Sequence, residues 1–135
     1  MYKRQDLVSA NLGTDTLTVL TNNGNGGFGS NATLRVGNSP LCVVAADVNG
    51  DGKLDLISAN YVDSTLTVLT NNGNGGFGSN ATLIVGLAPR CVAAADVNGD
   101  GKLDLISANQ SANTLTVLTN NGSGGFGSNL SLIHI

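Results

Sequence analysis

The sequence predicts an all-β protein, an arc of a β-propeller made of about 2.75 four-stranded antiparallel blades of 49 residues each. Three observations predict it. The chain repeats with a period of 49 residues: "DLVSAN" at 6–11 returns as "DLISAN" at 55–60 and 104–109, "TLTVLTNNG" recurs at 16–24, 65–73 and 114–122, and "GGFGSN" at 26–31, 75–80 and 124–129. Every apolar run within the unit is short, and no segment offers ten residues of helical periodicity. The runs are separated by clusters of Gly, Asn, Asp and Ser, the residues that close turns.

Taken in order, the first run is "CVAAAD" (91–96), apolar up to the aspartate that opens a loop. "LDLISAN" (103–109) follows the loop as the second. "NTLTVLTN" (113–120) alternates Thr with Leu and Val, the period of a half-buried strand. "FGSNATLIV" (77–85) is the fourth. Four short strands per unit describe a propeller blade better than a solenoid rung. Counted loop to loop, the organisation is a partial blade 6–46, a blade 47–95 and a partial blade 96–130. Residues 1–5 ("MYKRQ") stand in register with "GDGKL", and the closing "LSLIHI" stands in register with "ATLIVG". Both break a pattern kept almost letter for letter elsewhere and resemble translated adapter sequence. Residues 1–5 and 131–135 are therefore read as non-native ends, which sets aside His134, the only histidine.

Charge narrows the function. Only 11% of residues are charged, the net charge is −3, and all nine acids are aspartates. Eight of the charged side chains fall in two copies of "DVNGDGKLD", at 47–55 and 96–104. Without a basic stripe, nucleic-acid binding is excluded. No apolar run approaches a membrane span. Cys42 and Cys91, one per repeat, are expected as small buried side chains at strand starts; a bridge between them would require neighbouring repeats to bring the two α-carbons into range.

The nonapeptide carries the candidate site. Side-chain oxygens fall at its positions 1, 3, 5 and 9: Asp47, Asn49, Asp51 and Asp55, and again Asp96, Asn98, Asp100 and Asp104. Position 7, Lys53 or Lys102, offers its backbone carbonyl. Glycines at positions 4 and 6 permit the φ values of a chain turning round an ion. Hard oxygen donors in a flexible loop suit Ca²⁺, and an ion reverses the repulsion among three carboxylates. A plain hairpin accounts for the glycines and leaves Asp47 and Asp55 without a role. An EF-hand would need helical flanks and a Glu where Ser58 and Ser107 stand.

With these residues in view, the unit resembles the FG-GAP/VCBS repeat, the calcium-binding blade of integrin-α-type propellers. The D-x-N-x-D-G-x-x-D loop, "DLISAN", the "NGNGGFG" turn and the "VGLAP" lead into the next blade carry the resemblance from Asp6 to about Leu130. It implies two Ca²⁺ sites, with ligands Asp47, Asn49, Asp51, Lys53 (carbonyl) and Asp55, and Asp96, Asn98, Asp100, Lys102 (carbonyl) and Asp104. The first copy keeps only Asp6 of its loop and is expected to hold no ion. Family propellers close with about seven blades.

Two signals point elsewhere and fail on context, the first being "GGFGSNATL", which approximates the nonapeptide of calcium-binding β-rolls but appears once per 49 residues and not in tandem. "GNGGFG" and "GSGGFG" spell a dinucleotide fingerprint, but a strand follows where a helix is needed. Phe28, Phe77 and Phe126 are read as one aromatic plug per blade, filling the gap between sheets. Asn31, Asn80 and Asn129 stand in N-x-S/T sequons and are treated as ordinary polar turn residues. No Ser/His/Asp set, Cys/His pair or glutamate supports catalysis. The expectation is a non-enzymatic, calcium-binding repeat module of an extracellular or cell-surface protein, with a structural or adhesion-like role and a protein or glycan ligand. The alternatives are a carbohydrate-binding propeller and an accessory propeller of a larger secreted enzyme, such as a polysaccharide lyase.

Overall fold

Each predicted run forms a strand, and within each sheet successive strands pair antiparallel. The computed structural model describes residues 4–129, except the side chains of residues 30, 31, 79, 80, 128 and 129. His134, the closing end and the side chains of the three sequon asparagines lie outside the described residues. The strands are β1 (Leu7–Asn11), β2 (Thr16–Asn22), β3 (Phe28–Arg35), β4 (Pro40–Ala46), β5 (Asp55–Asn60), β6 (Thr65–Asn71), β7 (Phe77–Ile84), β8 (Pro89–Ala95), β9 (Asp104–Asn109), β10 (Thr114–Asn120) and β11 (Phe126–Asn129). They make three sheets, ordered β1-β2-β3, β4-β5-β6-β7 and β11-β10-β9-β8. The protein is an arc of a β-propeller, and no described residue is helical. Among the described residues no helix is long and apolar enough to cross a membrane, a statement that does not bear on strands.

The sheets and the loops mark the repeat in different phase. A unit counted from loop to loop (47–95) takes β5–β7 from one sheet and β8 from the next. The middle sheet itself runs Pro40–Ile84. The buried prolines Pro40 and Pro89 begin the first strands, where the register shifts before Cys42 and Cys91. A residue with no N–H is tolerated at that place, ahead of the regular ladder.

Two apolar layers join the three sheets. Leu17 and Val19 meet Leu56 and Leu69 between the first and second sheets. Ile57, Ala59, Leu66 and Val68 meet Val92, Leu105 and Leu118 between the second and third. The middle blade therefore buries both faces, and all six residues of β5 are buried. At roughly 1.5–3 kcal/mol for each fully buried Leu or Ile side chain, these layers supply most of the stability. Phe77 and Phe126 pack against the two layers as plugs, whereas Phe28, in the first sheet, is 44% exposed.

A polar clasp repeats beside each layer. The Asn60 amide donates to the hydroxyls of Thr65 and Thr67 and accepts from Ser58. Asn109 does the same with Thr114, Thr116 and Ser107, and Asn11 with Thr16, Thr18 and Ser9. Asn60 and Asn109 are buried, yet among the described residues no buried side-chain polar atom lacks a partner. The glycine of each inter-blade lead lies against the next clasp. A Cβ on Gly37 would come within 2.7 Å of Asn60 Nδ2, and one on Gly86 within 2.6 Å of Asn109 Nδ2. That contact gives "VGNSP" and "VGLAP" their glycine.

Candidate metal centre

Both nonapeptides fold alike, at the same end of adjacent blades. Gly50 and Gly52 stand at φ +78° and +83°, and Gly99 and Gly101 at +78° and +84°. A Cβ would meet nothing within 4 Å at any of the four, so backbone conformation, not crowding, selects glycine there. The turn wraps its own amides round the first aspartate. Asp47 Oδ1 accepts from the N–H of Gly50 (2.8 Å) and Asp51 (3.2 Å), and Oδ2 from Gly52 (2.8 Å). Asp96 takes the same three bonds from Gly99, Asp100 and Gly101. The Gly101 N–H, followed by those of Gly99, Asp100 and Asn98, holds the Asp96 carboxyl below the ordinary 3.8 despite partial desolvation.

The ninth position is buried and does a second job. Asp55 Oδ2 accepts Val48 N–H (3.1 Å) and Oδ1 accepts Asn71 N–H (2.9 Å), tying the loop to the end of β6. Asp104 repeats this with Val97 and Asn120. Asp6, in the copy without a complete loop, still accepts Asn22 N–H at 2.8 Å. So a hairpin does use Asp47 and Asp55, which corrects the sequence argument that a turn leaves them without a role. Arg4 and Gln5, assigned to the non-native end, take the blade positions of Lys53 and Leu54. Arg4 lies against Gly24 as Lys53 lies against Gly73, and Gln5 O accepts Asn22 Nδ2 as Leu54 O accepts Asn71 Nδ2.

The fifth position is different. Asp51 is exposed; its Oδ1 accepts Lys53 N–H, and its Oδ2 pairs with Lys53 Nζ at 3.3 Å. Its carboxyl lies below the ordinary 3.8, held there first by the Lys53 amide, then by Lys53's side chain and Asn49. Asp100 pairs with Lys102 at 3.8 Å and accepts from Asn98 Nδ2. Asn49 Oδ1 and Asn98 Oδ1 each accept the amide of the following aspartate.

The donor set fits a hard divalent cation by its chemistry. All five groups are oxygens, and a carboxylate has about four lone-pair sites, of which Asp47 fills three and Asp55 two. Among the described residues, no three acidic, histidine or cysteine side chains already converge on one point. An ion would have to compete with the Lys53 ammonium for Asp51. The two loops adjoin a cleft of about 170 Å³ lined by Asp47, Val48, Gly50, Gly101, Lys102 and Asn120. Asn120 straps them together, donating to Val48 O (2.7 Å) and Leu103 O (2.8 Å). Val48 is buried under the next blade, while its counterpart Val97 is 53% exposed.

The structure also departs from the expectation for the cysteines. Cys42 is half-buried and Cys91 exposed, and their Sγ atoms lie 3.7 Å apart across the blade interface. Tyr61 carries the Arg90 guanidinium 6.0 Å from its ring centroid. The glycine strings close as hairpin turns on Asn23, Asn72 and Asn121, whose side chains accept amides at 2.8–3.1 Å.

Two solved structures share this architecture. A functionally unknown protein from Desulfotomaculum acetoxidans superposes with a TM-score of 0.74 at 12% identity, over 93% of this chain and 38% of that one. The periplasmic gluconolactonase PpgL of Pseudomonas aeruginosa superposes with a TM-score of 0.62 at 21% identity, over 89% of this chain and 33% of that one. The chain thus spans 38% of one and 33% of the other, and at these identities the likeness is one of fold. No curated protein matches the sequence. The model of the FG-GAP-like repeat matches three times, at residues 3–58, 47–107 and 96–133. Two of these matches begin on Asp47 and Asp96, the aspartates that open the loops, and the three together span almost the whole chain: it belongs to the FG-GAP-like repeat family.

Proposed function

We propose that this chain is a calcium-stabilised repeat module of an extracellular or cell-surface protein, with a structural or adhesion-like role and no catalytic one. The observation that carries this reading is the fifth loop position. The fold uses Asp47 and Asp55 to cap amides, whereas the outer oxygens of Asp51 and Asp100 face solvent with a flexible lysine as ion-pair partner. A solvent-facing oxygen donor on each loop, four residues after one capping aspartate and four before the other, suits an ion the hairpin does not itself need. Asp47, Asn49, Asp51, Asp55 and the Lys53 carbonyl would hold one ion, and Asp96, Asn98, Asp100, Asp104 and the Lys102 carbonyl the other. The mechanism is linkage: the folded loop binds Ca²⁺ better than the unfolded chain does, so each filled site adds stability. At tenfold the Kd that gain is about 1.4 kcal/mol per site. Extracellular modules of this chemistry bind at about 10⁻⁴–10⁻³ M, which suits an outside location.

The test is a thermal melt in millimolar Ca²⁺ and in EDTA, run on the chain and on Asp51→Ala/Asp100→Ala. The expected result is a Tm gain of roughly 5–10 °C with Ca²⁺ in the unsubstituted chain alone. If both proteins melt alike in both buffers, the loops are turns and the proposal fails.

A further inference from the structure

Neighbouring blades place their first strands β4 and β8 close together, and this brings two free thiols into contact. Cys42 Sγ is 3.7 Å from Cys91 Sγ, and both lie near one acceptor, Val92 O, at 3.9 Å and 3.8 Å. The backbone on each side is well held. Pro40 and Pro89, two residues before each cysteine, are fully buried, and Val92, next to Cys91, is 1% exposed in the inter-blade core. Cys91 is exposed and offers a reagent its entry, while Cys42 is half-buried behind it.

We propose that Cys42 and Cys91 are a modification site, a pair that closes into a disulfide joining the middle and third blades when a small-molecule disulfide is available as oxidant. The Cys91 thiolate attacks one sulfur of that disulfide, forming a mixed disulfide and releasing one thiolate. Cys42 then loses its proton and displaces the second half as a second thiol, leaving Cys42 Sγ bonded to Cys91 Sγ. Two protein thiols lose two electrons and two protons, and one small disulfide gains them. The sulfurs must close from 3.7 Å to about 2.05 Å, a move that side-chain rotation supplies when the strands already lie side by side. Burial and the Cys42 thiol push the Cys91 pKa above its ordinary 9.0, which lowers its thiolate fraction and makes the first attack slower at neutral pH. The inference does not rest on calcium binding, although an oxidising compartment would populate the bond.

The bond would close a loop of 49 residues that contains the remainder of the middle blade, restricting the unfolded chain far more than the folded one. The experiment equilibrates the 135-residue chain in EDTA with reduced and oxidised glutathione and follows thiol titre, intact mass and Tm. The expected result is a monomer that loses both titratable thiols and about 2 Da. Its Tm should rise by roughly 10–15 °C. Dithiothreitol should reverse all three changes. Cys42→Ser and Cys91→Ser should fold at the reduced protein's Tm, retain one thiol and gain no stability from oxidant. Persistence of both thiols, addition of a glutathione to each cysteine, or cross-linked dimers as the sole product would each overturn the proposal.

Discussion

Replacing Asp55 with asparagine separates the two jobs assigned to the loop. Asp55 is fully buried and presents both carboxylate oxygens to backbone donors, Val48 N–H at 3.1 Å and Asn71 N–H at 2.9 Å. Asparagine matches its shape but has one oxygen and one NH₂. Whichever way the amide sits, one donor then faces another donor. Leaving a buried N–H without an acceptor costs about 1–3 kcal/mol, and the opposed dipoles put Asp55→Asn at about 2–3 kcal/mol. With an unfolding entropy of about 2.1 cal/mol/K per residue, that lowers Tm by roughly 7–10 °C. Asp6→Asn is the control, since Asp6 is exposed and accepts the equivalent Asn22 N–H near solvent; it should cost under about 1 kcal/mol. Circular dichroism melts in EDTA provide the assay. If Asp55→Asn melts within about 2 °C of the unsubstituted chain in EDTA and falls behind only in Ca²⁺, the carboxylate is a ligand and not a cap, and the reasoning is refuted.

Two further predictions follow from the clasp and from the exposed carboxylates. Gly86→Ala would drive a Cβ to 2.6 Å from Asn109 Nδ2 and 2.8 Å from Thr114 Oγ1, and should destabilise by about 2–3 kcal/mol in urea melts. Gly13→Ala, where a Cβ meets nothing within 4 Å, should be near neutral. The carboxyls of Asp51 and Asp96 lie below the ordinary 3.8 in the folded chain. Their contribution is therefore fully present above that pH and is lost as pH falls through the lower folded values. Urea midpoints between pH 5 and pH 2 should drop less steeply for Asp51→Asn/Asp96→Asn than for the parent.

Much of the fold was legible because its determinants are local. Thr–Leu–Thr–Val alternation and the Asn/Gly turns specify strand and hairpin within a few residues, and the period multiplies the signal. The loop glycines were legible for the same reason. The aspartates were ambiguous because capping an amide and coordinating an ion ask for the same carboxylate at the same place. The Cys42–Cys91 contact and the Gly86–Asn109 contact join residues of different blades. Neither can be read before it is known which strand lies beside which.

The near-identity of the blades bears on how the chain finds its pairing. β9 repeats β5 letter for letter, so β4 could form with β9 the ladder it forms with β5, with the same side chains facing. What separates the two is the connection: residues 47–54 link β4 to β5, whereas residues 47–103 link it to β9. Closing the longer loop costs an extra (3/2)RT ln(57/8), about 1.7 kcal/mol, or roughly a twentyfold preference. That margin is narrow for a choice made during folding. Refolding at high concentration should therefore divide between the native arc and strand-exchanged forms, including swaps between molecules, and the short connection 47–54 is what keeps the native pairing ahead.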